Sequence, residues 1–248
     1  MSDPVPRLRM FAGPNGSGKS TIKDNLPPAW LGVYINADDI EKLIRANGFL
    51  SLSQFEIEAS PTELADFFSQ STFLQSQGLS DAARNITLDG DRVLFNDVTV
   101  NSYYASVLAD FIRHKLLSNK ASFTFETVMS SRDKVDFMCK ARAAGFRTYL
   151  YFVATEDPEI NVSRVNYRVQ MGGHAVSKDK IISRYGRSLD LLNEAVACSD
   201  RAYVFDNSGD ERVWVAEVTD GNELEMKTDS MPYWFKAALW DKFSENGL

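Results

Sequence analysis

Cysteine is nearly absent from this chain of 248 residues, which holds two, Cys139 and Cys198. Neither has metal-ligand spacing to other ligating residues, so a zinc module is excluded, as is a disulfide-dense scaffold. Both are expected to be reduced, and the protein cytoplasmic. Long apolar runs are lacking too. No stretch approaches the ~20 residues of a membrane span, and the N-terminal MSDPVPRLRMF has no signal-peptide apolar core. A membrane partner is therefore not expected. Positive charge is in deficit, with 27 Lys and Arg against 34 Asp and Glu and a formal net charge of −7. That balance argues against nucleic acid as a partner, since a sequence-independent binder needs a basic face. The chain shows no internal repeat and no disordered linker.

What is present is an alternation of strands and helices. Hydrophobic content of 44% and charged content of 25% are ordinary for a globular protein. Five short apolar runs read as buried strands: Leu8–Ala12, GVYINADDI from Gly32, SFTFETVMSS from Ser122, Arg147–Thr155 and RAYVFDNS from Arg201. Helical stretches separate them. One runs from Lys19 to Leu26 and is stopped by Pro27-Pro28; one ends at Gly145; one opens on Asp157-Pro158-Glu159, a cap followed by a first-turn proline; another covers Lys178 to Ala197. Such alternation implies an α/β fold with a mainly parallel five-stranded sheet. Residues 1–248 read as a single domain, with 48–101 as an insertion and 211–248 as a C-terminal hairpin and helix. Within the insertion, Asp89-Gly90 between alternating segments marks a hairpin turn.

The stretch GPNGSGKS, after the first strand and before the first helix, fits G-x-x-x-x-G-K-[ST]. Its glycines let successive backbone N–H groups face one centre, and the following helix N-terminus adds positive potential. Gly13, Pro14, Asn15, Gly16, Ser17, Gly18, Lys19, Ser20 and Thr21 are thus the expected nucleotide-binding residues. Lys19 is placed to reach the β- and γ-phosphates, and the Ser20 hydroxyl to ligate Mg²⁺. ATP is the expected nucleotide and GTP the lesser candidate, since no N-K-x-D-like strand end is present. The fold expected is the three-layer, kinase-like form of the phosphate-loop NTPases.

An acceptor side is also visible. Ligands of open α/β sheets lie beyond the carboxyl ends of the strands. Asp38 reads as ending the second strand and as a general base for a substrate hydroxyl, with Asp39 a first-turn helix acid. Glu126, Thr127 and Arg132 follow the third strand and are candidates for substrate binding. Arg164 and Arg168, four apart on one helix face, are candidates to clamp the transferred phosphoryl group. Gly172-Gly173-His174 then reads as the hinge of this lid, with His174 either ordering the loop or acting as a base. The rival reading is a nucleotide-binding regulatory ATPase or switch. There the insertion and the aromatic tail, with Trp234 and Trp240, contact a protein partner, whereas core packing is the role otherwise expected of that tail.

In this order, AGPNGSGKST, INADDI, SFTFETVMS, RVNYRVQMGGHAV and VFDNS resemble the zeta toxin family of bacterial phosphate-loop kinases, in its shorter branch. The resemblance spans Leu8 to Ser208. It implies an ATP-dependent phosphotransferase acting on a small-molecule hydroxyl acceptor. Zeta toxins proper phosphorylate a hydroxyl of UDP-N-acetylglucosamine, and an antitoxin partner would follow from the same kinship. Carried over by motif, Lys19 binds phosphate, Asp38 is the base, Glu126 and Thr127 meet the substrate, and Arg164 and Arg168 hold the phosphoryl group. Three departures stand out. Asn36 occupies a position where zeta toxins proper carry an acid, Thr127 one where they carry glycine, and the insertion is long.

Overall fold

The computed structural model describes residues 5–173 and 175–245. The chain divides into two compact units, Met1–Leu31 with Thr124–Leu248, and Gly32–Phe123. In the first unit, β1 (Arg7–Ala12) is buried from its second residue onward, as a strand covered on both faces must be. The glycine loop follows, then α1 (Lys19–Lys23) and α2 (Pro28–Leu31). The first helix stops at Lys23 rather than Leu26, and Pro28 opens a helix instead of merely ending one, because proline is tolerated in a first turn.

The second unit contains β2 (Val33–Ile35), α3 (Ala37–Asn47), β3 (Phe49–Ser51), a 3₁₀ turn at Leu52–Phe55, α4 (Pro61–Ser69), α5 (Thr72–Ser76) and α6 (Ser80–Ala83). It continues with β4 (Ile86–Asp89), β5 (Arg92–Phe95) and α7 (Ser102–Ser118). Strands β3, β5 and β4 form an antiparallel sheet in that order. Asp89 pairs with Arg92, so Gly90 and Asp91 make the expected tight turn, with Gly90 at φ 59°. Polar residues here serve local order. Ser60 and Glu63 form a capping box on α4. Lys115 Nζ donates to Glu63 at 2.8 Å. That bond, with the Ser60 backbone N–H, holds the Glu63 carboxyl down at about 2. Tyr104, Val107, Leu108, Phe111, Ile112 and Leu116 of α7 are all buried, as their helical spacing requires.

The first unit resumes within β6 (Phe123–Thr127) and continues with α8 (Asp133–Ala143), β7 (Arg147–Ala154), α9 (Pro158–Gln170), α10 (Lys178–Asp190) and α11 (Leu192–Ala197). Then come β8 (Arg201–Asp206), β9 (Val213–Thr219), β10 (Glu223–Met226), α12 (Tyr233–Phe235), a π-helical turn at Lys236–Trp240 and α13 (Asp241–Glu245). Across its sheet the strands run β10-β9-β8-β7-β1-β6. Strands β1, β7 and β8 are parallel; β8, β9 and β10 are antiparallel. The tail hairpin therefore extends the sheet beyond the five core strands that were expected.

Core packing places the glycine loop. Phe11, Ile22, Tyr151 and Val153 form a buried cluster that seats α1 on β1 and β7. Tyr151 stacks between Phe11 and Tyr203, with ring centroids 4.7 and 5.0 Å away. Burial pushes its phenol up to about 12.

One expectation is corrected by packing. Cys139 and Cys198 are not reduced; they are joined by a disulfide, with Cα atoms 4.8 Å apart. Helix α8 lies against α11, and this brings together cysteines 59 positions apart, whose spacing carried no cue. The argument for a reducing compartment loses its support. Among the described residues no helix is long and apolar enough to cross a membrane. Trp234 is 3% exposed, beside Phe152 and Phe235, so it takes the core role expected of the aromatic tail rather than the docking role of the rival reading.

Candidate active site

The loop after β1 is built by close backbone approach. Gly13 has φ 138°, and a Cβ there would lie 2.0 Å from the Val153 carbonyl oxygen. Gly18 has φ 96°, and its Cβ would lie 2.4 Å from Nδ2 of Asn207. At Gly13 a side chain would run into fixed backbone, and at Gly18 the positive φ would strain one and displace the Asn207 amide. The Lys19 ammonium donates to the carbonyls of Gly13 and Pro14, each at 2.8 Å, so its charge hangs over the loop it closes. Ser17 Oγ and Asn15 Oδ1 are buried with no hydrogen-bond partner among the described residues. Polar atoms left unmatched in a concave backbone cradle fit an anionic ligand that supplies their partners.

Neighbouring strand ends support this loop. Asn161, buried on α9, donates from Nδ2 to the Asn15 carbonyl at 2.6 Å and also bonds to Thr155. Asn207, after β8, donates from Nδ2 to the Ser17 carbonyl at 2.8 Å. Tyr185 donates to the Thr155 carbonyl at 2.6 Å. Burial raises its phenol, and the charges of Glu156, Asp157 and Asp206 raise it further. Thr21 donates to the Gly18 carbonyl at 2.7 Å and accepts from Arg212 at 3.1 Å. The sequence reading missed Asn161, Tyr185 and Arg212. A signal existed for Asn161, whose spacing with Val162 and Val165 puts it on the buried stripe of α9.

Ser20 and Glu126 are 106 positions apart in the chain, yet the hydroxyl lies 3.2 and 3.1 Å from the two carboxylate oxygens. Glu126 stands at the end of β6, as expected. A hydroxyl beside one carboxylate is a hard oxygen pair that suits Mg²⁺, an ion that keeps several waters and phosphate oxygens as its remaining ligands. No cluster of three or more His, Cys, Asp or Glu that could cage a metal occurs among the described residues.

Other expected site residues are placed differently. Asp38 does not end a strand. β2 closes at Ile35, and Asn36 caps α3 by accepting the Asp38 N–H at 2.9 Å. Both Asp38 and Asp39 therefore occupy the first helical turn, because asparagine is a strong cap and carboxylates favour helix N-termini. Asp38 is exposed and is carried by the second unit, whereas Lys19, Ser20, Glu126 and both arginines are carried by the first. Thr127 accepts the Met129 N–H at 3.0 Å and shapes the turn after β6. Arg132 pairs with Glu194 at 2.8 Å and Asp136 at 3.6 Å on the surface. Arg164 donates to the carbonyls of Asn207 and Gly209, at 2.7 and 3.3 Å, so it ties α9 to the loop after β8. Arg168 is exposed one turn later. Gly172 has φ 87° and stops α9, and His174 lies outside the described residues.

A glycine cradle between a parallel strand and a helix, with lysine, hydroxyl and strand-end carboxylate, defines a phosphate-loop protein of kinase-like α/β fold. The family model described as Zeta toxin matches residues 96–219, half of the chain. The chain belongs to the zeta toxin family. An uncharacterized protein of Haemophilus influenzae is 26% identical over 107 residues, which is 42% of this chain and 76% of that one. Two solved structures share the fold. One is the AvrRxo1-ORF1:-ORF2 complex with ATP, at TM-score 0.53 and 18% identity, covering 99% of this chain and 65% of that one. The other is the PezAT chromosomal toxin-antitoxin system of Streptococcus pneumoniae, at TM-score 0.51 and 15% identity, covering 100% and 86%.

Proposed function

We propose that this protein is an ATP-dependent kinase that transfers the γ-phosphoryl group to a hydroxyl of a small molecule. The observation that carries the reading is the Ser20–Glu126 pair beside the lysine-closed cradle. The crystallisation of a structural neighbour with ATP supports the choice of donor. In this reading the loop N–H groups and Lys19 bind the donor phosphates, and Ser20 with Glu126 would hold Mg²⁺. When bound, Mg²⁺ supplies neutralisation of phosphate charge. Arg164 and Arg168 stabilise charge on the transferred group, which loses its bond to the β-phosphate oxygen as it gains one to the acceptor oxygen. Asp38 takes the acceptor proton. Its side chain is exposed at the start of α3, where an acceptor hydroxyl could reach it. Glu126, Thr127 and Arg132 are the acceptor-side candidates.

Family membership favours a sugar nucleotide such as UDP-N-acetylglucosamine as acceptor. It also favours an antitoxin-like protein partner, in keeping with the toxin–antitoxin system among the structural neighbours. The test is a panel of hydroxyl acceptors incubated with Mg²⁺ and ATP, read by mass spectrometry. The expected result is one phosphorylated acceptor, with its formation slowed about a hundredfold by Asp38→Asn. ATP hydrolysis that needs no acceptor and survives Asp38→Asn would replace the kinase with a regulatory ATPase.

A further inference from the structure

The C-terminal tail and the phosphate loop are both hydrogen-bonded to the short turn Asp206-Asn207-Ser208. Trp234 Nε1 donates to Asp206 Oδ2 at 2.9 Å, with both residues buried. The same carboxylate accepts the Ser208 N–H at 3.0 Å and the Ser208 hydroxyl at 2.6 Å. Ser208 Oγ in turn accepts the Glu156 N–H at 2.8 Å, and the Glu156 carboxylate accepts the Tyr233 N–H at 3.0 Å. The turn from Asp206 to Ser208 is thereby held at both ends. Between them sits Asn207. Its N–H donates to the Ala154 carbonyl at 2.9 Å, its side-chain amide to the Ser17 carbonyl at 2.8 Å, and its carbonyl accepts Arg164 at 2.7 Å.

We propose that Trp234 is a positioning residue for the nucleotide site, acting through Asp206 to set Asn207 against the phosphate loop and Arg164. This inference rests on the ATP-binding reading above. A phenylalanine at 234 would keep ring packing against Phe152 and Phe235 but leave the buried carboxylate without its indole donor. Losing one partner of a charged, buried hydrogen bond is costly, and the carboxylate recovers by turning toward other donors. Asn207 then loses the fixed frame from which it holds the Ser17 carbonyl.

The experiment measures affinity of the full chain for a fluorescent ATP analogue with Mg²⁺, alongside thermal midpoints. Trp234→Phe should weaken binding about three- to tenfold. Ser208→Ala, which removes a half-buried hydroxyl from the same turn without touching the tail's core, should weaken it in the same direction. In an Asn207→Ala background, Trp234→Phe should no longer change affinity although its loss of thermal stability persists, because only the affinity effect passes through Asn207. Unchanged affinity in folded Trp234→Phe, or the same fold-loss with and without Asn207, overturns the inference. If Trp234→Phe does not fold, Ser208→Ala in the two backgrounds decides in the same way. A wild-type chain that fails to bind the analogue overturns the ATP reading and this inference together. That outcome is distinct from normal wild-type binding with unaffected variants.

Discussion

Glu126 and Asp38 were read from the sequence as the same kind of residue, an acid at the end of a buried strand. The structure separates them. Glu126 stands at the end of β6 with its carboxylate on the Ser20 hydroxyl. Asp38 lies in the first turn of α3, behind an asparagine cap. The difference extends to the units that carry them. In the first unit, polar side chains reach across the chain to hold a loop, as Asn161 and Asn207 do. In the second, helix caps are filled by near neighbours, as in the Ser60–Glu63 box, and Asp91 of the hairpin turn accepts from Ser51 and Ser53 within the same small unit. A residue type is a guide to chemistry only when the backbone around it has nothing closer to offer.

The largest effect that would sharpen this contrast is expected at Lys19. Lys19→Ala should lower phosphoryl transfer about a thousandfold, as loss of a transition-state charge partner does, measured as phosphorylated acceptor per unit time. Asp38→Asn should cost about a hundredfold in kcat, in the range of general-base loss, while KM for ATP stays put. A shifted KM with normal kcat would show that Asp38 does not act as the base. Two glycines compare the units directly. Gly13→Ala should destabilise by about 3 kcal/mol, because of positive φ and a backbone clash. Gly48→Ala, with φ 80° but open space around it, should cost about 1 kcal/mol. Urea unfolding of both variants checks the ratio.

A covalent tie distinguishes the first unit as well. Removing the Cys139–Cys198 link, which spans 59 positions, should lower stability by about 2–4 kcal/mol. Urea melts of Cys139→Ser and thiol titration of the unfolded wild type measure it. A full count of free thiols in the wild type would contradict the bond. The smallest effect belongs to Glu63. Its carboxyl is depressed to about 2 in the folded state, so its contribution is complete above its ordinary value near 4.5. That contribution is lost as pH falls through about 2. Glu63→Gln should flatten the fall in thermal midpoint between pH 5 and 2. An unchanged acid limb would show that the Lys115 and Ser60 contacts do not persist in solution.

Much of this was legible in the chain. The glycine loop identified its own backbone geometry, since a run of such residues before a helix has few other uses. Glu126 was legible because an apolar strand leads directly to it. Asn36 was not recognised as a cap, although asparagine before two acids is a helix-start signal. Arg164 looked in need of a phosphate partner because carbonyl oxygens 43 and 45 positions away are invisible to spacing.

By itself, the sequence determined the α/β alternation, the phosphate cradle and the family, because each is written in contiguous residues whose local conformations are sterically limited. Tertiary structure alone decided that Cys139 meets Cys198, that Ser20 meets Glu126, and that Trp234 is buried on Asp206. Those meetings depend on how helices and strand ends pack, a long-range property that no local pattern of residue types encodes.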